Sequence, residues 1–425
     1  NLMQTLASAR GGDVGLYAPL EGLDAQPLAE ARNLVMLVID GLGYEFLSQY
    51  PDSCLYRHLH SKLMAVAPPT TTAAVSTYLT GLAPQQHGLT GWFTYLRELG
   101  SVVTILPWVL RGGGPQLGES GRSAKRLLDL PSFFDRLAGD TYSVMPDFLK
   151  GSEFNGMVSG RAKLLPYSSY QQCFDEVARL CGEDHRKYIY AYWAGFDMLA
   201  HGYGVASQQV ASHFLELDQA FEKLVDEVAG SDSILLVSAD HGFVDAPPEK
   251  RIEVPDYPEF RNCLQVPLCG EPRLAYCYVR HDKRQEFEAY VEAVFSGKAQ
   301  LYLSQDLVED NLYGLGKAHP ELASLDSLKP EYGYWLKTAA PAILTYPGPL
   351  AEPKLIAATG SMVPVAVPAG VTPTPEWIDL YGEAVTLDGA LLAPGSIVQV
   401  FDESGNLCGE YQVSIAGRVP FTPVY

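Results

Sequence analysis

No run of apolar residues in this 425-residue chain reaches the ~20 residues that a helix needs to cross a bilayer, so no membrane span is expected. Positive charge is scarce as well: 30 Lys and Arg face 50 Asp and Glu, for a formal net charge of −20 and a pI near 4.8. So acidic a chain repels a nucleic-acid backbone, and no nucleic-acid polymer is expected as a partner. A small anion remains within its reach wherever a metal or helix N-termini supply local positive charge. Cysteine is sparse too. Seven residues, an odd number without Cys-x-x-Cys spacing, argue against a disulfide framework and favour a reducing, cytoplasmic compartment. Charged residues make up only 19% and hydrophobic ones 47%, the balance of a globular chain rather than a disordered one. Neither an internal repeat nor a signal-peptide pattern is visible after Asn1, and the length allows two or three domains.

The stretch around which the rest is organised is Pro68-Pro69-Thr70-Thr71-Thr72-Ala73-Ala74-Val75-Ser76-Thr77-Tyr78-Leu79-Thr80-Gly81. Two prolines bar the incoming chain from helix, small residues allow a helix to follow, and Gly81 is a natural stop. Three threonines therefore stand where a loop becomes a helix. The first N–H groups there are unpaired and the dipole is positive, which suits a phosphate oxygen. A hydroxyl in that place is either an N-cap or a nucleophile, and the stretch alone does not decide between them.

Three runs, apolar but for the acid that ends the first, read as strands of a parallel sheet buried on both faces: 33–40, 187–193 and 233–239. Each leads into acids or histidines at its carboxyl end, where open α/β sheets bind their ligands. The first delivers Asp40, which could also cap the next helix. The second delivers Asp197 and His201, four residues apart and thus on one face of a helical turn, either as a surface ion pair or as joint metal ligands. The third delivers Asp240 and His241, with Gly242 free to make a sharp turn. His87, before Gly88, reads as a turn histidine bonded to backbone. Helices are expected over 44–60, 215–228 and 285–295, and strands over 276–279 and 331–345. Oxygen and nitrogen donors without thiolates suit zinc, although manganese and iron also satisfy them.

At this point the sequence resembles the alkaline phosphatase superfamily, in its nucleotide pyrophosphatase/phosphodiesterase branch. The motifs are LVIDGLGY (37–44), PPTTTAAVSTYLTGLAPQQHG (68–88), WAGFDMLAHGYG (193–204) and SADHGF (238–243). The resemblance implies a two-zinc hydrolase that opens a phosphodiester or pyrophosphate bond of a small substrate through a phospho-threonine intermediate. The last ~50 residues, outside the family core, resemble small bacterial β modules. The family resemblance further implies that Asp40, Thr71, Asp240 and His241 bind one zinc and that Asp197 and His201 bind the other. Counting back from Thr80-Gly81 puts the nucleophile at Thr71, with Thr70 and Thr72 as the neighbouring registers. The family closes its second zinc site with a late histidine. Here that context reads Ala358-Thr359-Gly360-Ser361-Met362-Val363-Pro364, as though a loop were cut out between Ser361 and Met362; failing that loop, His319 would have to substitute.

The expected architecture is an α/β, mostly parallel sheet flanked by helices over residues 1–370. An αβ insertion occupies roughly 247–345, followed by a linker at 371–376 and a small β-rich domain at 377–425. That last module resembles those appended to exported or surface proteins, which leaves export open. No Cys-x-Pro-x-Arg motif of the sulfatases is present. The competing readings are a phosphomonoesterase or phosphonate hydrolase on the same site, and a metal-poor relative that binds without catalysing. The oligomeric state cannot be read from these residues.

Overall fold

The computed structural model describes residues 1–247 and 250–317, and beyond them the backbone of strands lying between 333 and 424. The chain gathers into two compact units, one of Asn1–Trp108 with Arg122–Pro347, the other of Val109–Gly121 with Gly348–Tyr425.

The first unit is organised on Asn33–Ile39, all seven residues of which are buried. A strand apolar on both faces must lie inside a sheet with both faces covered. It runs between Lys187–Trp193 and Ser233–Ser238, and Asp140–Pro146 and Lys163–Tyr167 extend the sheet beyond Lys187–Trp193. Every pairing in this sheet is parallel. Ile39 stands opposite Trp193 and Val38 opposite Ser238, so the chain leaves all three strands at one level. That register is what positions the site.

Val35, Leu37 and Ile39 pack into a core with Phe174, Val177 and Leu180 of the Tyr170–Gly182 helix and with Phe214, Leu217 and Phe221 of the Gln208–Val228 helix. The latter buries Val210, Phe214, Leu217, Phe221 and Leu224, alternate steps of four and three that keep one face inward. Truncating one of them, as in Leu217→Ala, costs about 2–5 kcal/mol. This helix starts at Gln208, two turns before its expected start. Ser207 caps it, its hydroxyl accepting from Val210 N at 3.3 Å, and the polar residues around Val210 mask the period in sequence. The stretch 44–60 forms only two single-turn helices, Tyr44–Leu47 and Cys54–Arg57, because Pro51 intervenes.

A second, antiparallel sheet runs in the order Ser101–Thr104, Phe93–Leu96, Cys269–Glu271, Leu274–Tyr278, Gly333–Thr338, Ala299–Leu303. Segments from 247–345 thus share a sheet with residues 93–104. The helix Arg284–Phe295 closes it with Phe287, Val291 and Phe295 against Phe260 and Cys277. Gly333–Thr338 and Leu344–Thr345 do not pair with each other; the latter lies beside Ile252–Glu253. In the second unit, Ile378–Gly382 pairs with Val419–Val424, Thr386–Leu387 with Ala390–Leu391, and Ile397–Phe401 with Leu407–Gln412, all antiparallel. The linker read at 371–376 lies outside the described residues. Among the described residues no helix is long and apolar enough to cross a membrane.

Candidate metal centre

Asp40 is the first residue past its strand, and its N–H donates to Trp193 O at 2.9 Å. Asp240 is two residues past Ser238, and its Oδ1 accepts from the N–H groups of Gly41 and His241, both at 2.9 Å. Ala194 turns the chain from Trp193 into the helix Gly195–Tyr203, which carries Asp197 and His201 one turn apart. Thr71 opens the helix Thr71–Thr80, which ends at Gly81 with φ 72°. A side chain there would be strained and would also strike Val14 Cγ1 at 2.5 Å.

The Nε2 atom of His241 is the hub. Thr71 Oγ1 lies 3.0 Å from it, Asp40 Oδ1 3.4 Å, Asp240 Oδ2 3.6 Å and Asp197 Oδ1 3.8 Å. Thr71 Oγ1 is also 3.5 Å from Asp40 Oδ1. The other ring nitrogen, Nδ1, faces Gly242 O at 3.3 Å, and a carbonyl can only accept. A proton on Nδ1 would satisfy that carbonyl and leave the Nε2 lone pair for a cation or for the threonine hydroxyl. Asp40, Asp240 and His241 offer ligand atoms all within 4.8 Å of one another. Asp197 and His201 form a looser pair, Nε2 to Oδ1 at 3.5 Å, with the His201 side chain 64% exposed against 9% for His241. Phe243 packs edge-on against both histidine rings, at 4.9 Å from His201 and 5.5 Å from His241.

Two observations fit this pocket to a metal. Asp197 Oδ1 and Asp240 Oδ2 are buried without a hydrogen-bond partner, a costly state for a carboxylate unless a cation completes it. Burial pushes the Asp40 carboxyl well above its ordinary range, reinforced by the charges of Asp240 and then Asp197. Asp197 is raised mainly by burial, with His201 and His241 pulling it back down. Three crowded carboxylates with unpaired oxygens and an imidazole lone pair form a donor set that calls for positive charge. Tyr192, from the strand beside Asp40, donates its hydroxyl to Asp40 Oδ2 and so fixes the carboxylate's orientation.

The three threonines point three ways. Thr71 faces His241 and Asp40. The Thr72 hydroxyl is fully buried without a partner. Thr70 occupies the N-cap position with extended backbone (φ −141°, ψ 149°), yet its hydroxyl does not cap the helix. It donates instead to Glu271 Oε1 at 2.5 Å, and the same oxygen accepts from Trp92 N at 2.5 Å. Glu271 reaches this point because Gly91 lets its backbone touch that of Gly270; a Cβ on Gly91 would lie 2.4 Å from Gly270 Cα. Burial raises the Glu271 carboxyl, while its bonds from Thr70 and Trp92 lower it.

The structure thus brings together Asp40, Thr71, Asp197, Asp240 and His241, with His201 at the rim. His87 is fully buried and structural: its Nδ1 accepts from Leu89 N at 3.0 Å and its Nε2 faces Thr77 Oγ1 at 3.2 Å. His319 and the junction at Ser361–Met362 lie outside the described residues. Sequence reasoning missed Tyr192 and Glu271. An acid flanked by Gly270 and Pro272, directly after an apolar stretch, is the one signal that could have marked Glu271.

A family profile described as type I phosphodiesterase / nucleotide pyrophosphatase matches residues 34–323. No curated protein matches the chain. Among solved structures it is similar to murine ectonucleotide pyrophosphatase / phosphodiesterase 5, with 15% identity and a TM-score of 0.56 over 73% of this chain and 80% of that chain. An inactive variant of the murine protein in complex with AMP gives 0.55, at 15% identity over 74% and 80%. Phosphonoacetate hydrolase from Sinorhizobium meliloti in complex with phosphonoformate gives 0.52, at 14% identity over 74% and 82%. At these identities the likeness is one of fold: a parallel sheet flanked by helices.

Proposed function

The chain belongs to the type I phosphodiesterase / nucleotide pyrophosphatase family, a metal-dependent hydrolase family, and from that premise we propose that it cleaves a phosphodiester or pyrophosphate bond of a small nucleotide-like substrate with Thr71 as nucleophile. The observation that carries this reading is the Thr71 hydroxyl at the start of a ten-residue helix, 3.0 Å from Nε2 of His241. Asp40, Asp240, His241 and Thr71 would hold one zinc, and Asp197 and His201 would hold another. Bound there, zinc supplies Lewis acidity: it makes a hydroxyl more acidic and draws charge from a phosphoryl oxygen.

The protein's own groups do the rest. The Thr71 oxygen, aimed into the pocket by the helix, attacks phosphorus in line with the leaving group. Its O–P bond forms as the bond to the departing alcohol or phosphate breaks, and the hydroxyl proton passes to the departing oxygen or to solvent. The substrate's other group stays on the threonine-bound phosphorus. The first-turn N–H groups take charge that develops on the phosphoryl oxygens. Tyr192 and the two backbone N–H groups on Asp240 keep both carboxylates in fixed orientation. Water then breaks the Thr71 O–P bond, releasing the phosphomonoester that still carries the substrate's other group, and restores the hydroxyl. The AMP complex of the murine relative supports a nucleotide-like substrate.

A second reading, a phosphonate hydrolase or monoesterase on the same residues, has the similarity to phosphonoacetate hydrolase in its favour. Parallel assays of a nitrophenyl phosphodiester, the corresponding monoester and a phosphonate decide between them. We expect the diester to turn over fastest; faster turnover of the monoester or phosphonate moves the assignment, and no turnover of any by zinc-loaded protein contradicts it.

A further inference from the structure

The carbonyl of Thr70 already accepts from Ala74 N at 3.0 Å, which leaves the N–H groups of Thr71, Thr72 and Ala73 without intrahelical acceptors. A threonine at the N-cap with extended backbone ordinarily turns its hydroxyl onto one of these N–H groups. Thr70 has that backbone and does not do so. Its hydroxyl is held by Glu271 Oε1, and Glu271 is in turn fixed by Trp92 N–H. This arrangement is built rather than incidental. Thr70 is only 7% exposed, and Glu271 comes from the second sheet, across a contact with Gly270 that needs glycine at 91. Beside the same helix start stand the unpartnered oxygens of Asp240 and Asp197.

We propose that Glu271 is a positioning residue that draws the Thr70 hydroxyl off the start of the threonine helix, so that the first-turn N–H groups stay free for the substrate's phosphoryl oxygens. The inference rests on the reading of Thr71 as the phosphoryl acceptor. It adds that a residue about 200 positions away in sequence guards the anion site from the chain's own capping hydroxyl. Glu271 does not touch the reacting atoms. It acts through Thr70.

The test compares wild type, Glu271→Ala, Thr70→Val and the double variant, each checked for zinc content and melting temperature. In a crystal structure of Glu271→Ala, Thr70 Oγ1 should turn to within hydrogen-bond distance of Thr72 N or Ala73 N. In calorimetric titration of zinc-loaded protein with inorganic phosphate, adding Thr70→Val to Glu271→Ala should tighten binding about fivefold, the worth of one N-cap hydrogen bond. Thr70→Val alone should change it by less than about twofold, because in wild type the hydroxyl is already out of the way. The two Glu271→Ala backgrounds carry equal charge, so the comparison is free of the lost carboxylate. Should Glu271→Ala fail to fold, Glu271→Leu fills the volume and serves in its place. A Thr70 hydroxyl that stays clear of the helix start, or an equal effect of Thr70→Val in both backgrounds, overturns the proposal. Absence of phosphate binding in wild type would instead count against the phosphoryl site, and the Thr70 orientation would still decide the role of Glu271.

Discussion

Asp40, Asp240 and His241 are held by strand register and by backbone N–H groups, whereas Asp197 and His201 sit on one turn of a helix with the histidine 64% exposed. The first group is rigid before any metal arrives and stores electrostatic repulsion. In the second, Asp197 is largely buried and shares that repulsion, while the exposed His201 is left to be ordered by whatever binds it. Two kinds of cost follow from two kinds of scaffold. A cation relieves the first and pins the second.

The largest effect expected falls on the hydroxyl that the first group holds. Thr71→Ala should lower turnover of the diester by at least about a thousandfold, the scale of losing a nucleophile, with zinc largely retained. Thr71→Ser should keep part of the activity because the oxygen survives. Steady-state kinetics on Thr70→Ala and Thr72→Ala set the register: a dead Thr72 variant beside an active Thr71→Ala would move the nucleophile.

Next comes the contrast in affinity. Asp240→Asn should weaken zinc binding at the rigid group by more than the roughly 10–100-fold typical of losing a group that only orients a ligand, whereas His201→Ala should reduce only the looser site. Equilibrium dialysis with metal analysis reads both. Equal losses from the two variants would erase the distinction drawn between the groups.

The repulsion stored in the rigid group gives a pH-dependent prediction. Asp40 has a folded-state pKa raised by burial and by Asp240, so its protonated form is favoured in the fold. Its contribution is therefore present below the ordinary carboxylate range and is lost as pH rises through the raised value. In metal-free protein, Asp40→Asn should raise the melting temperature at neutral pH by about 2–4 °C, and the gain should vanish at acid pH. A melting temperature lowered at neutral pH would show that Asp40 is not under repulsion. The smallest effect belongs to Tyr192→Phe, which removes the donor to Asp40 Oδ2 and should weaken zinc binding about tenfold with little change in stability.

Much of the sheet and most of the side chains that gather at its end were legible because they obey local rules. An apolar run ending in an acid marks a buried strand and its functional end, and an i,i+4 spacing puts Asp197 and His201 on one face. Thr71 was legible only with its neighbours, since three threonines in a row look alike until one of them meets His241, 170 residues away. Glu271 and Tyr192 were not legible. Their roles depend on which strand lies beside which, and an acid or a tyrosine in a strand carries no mark of its partner across the sheet. The second sheet was blurred for the same reason: Phe93–Leu96 joins Cys269–Glu271 by a pairing that no local period announces.

The account is tested most directly by titrating zinc into metal-free protein and following heat and stoichiometry. Two steps are predicted, a tight one lost in Asp240→Asn and a weaker one lost in Asp197→Asn, with diester turnover appearing only when both are filled. A fully active protein that takes up no zinc, manganese or iron, or a single step abolished alike by both variants, would contradict the division of the site into a rigid group and a looser one.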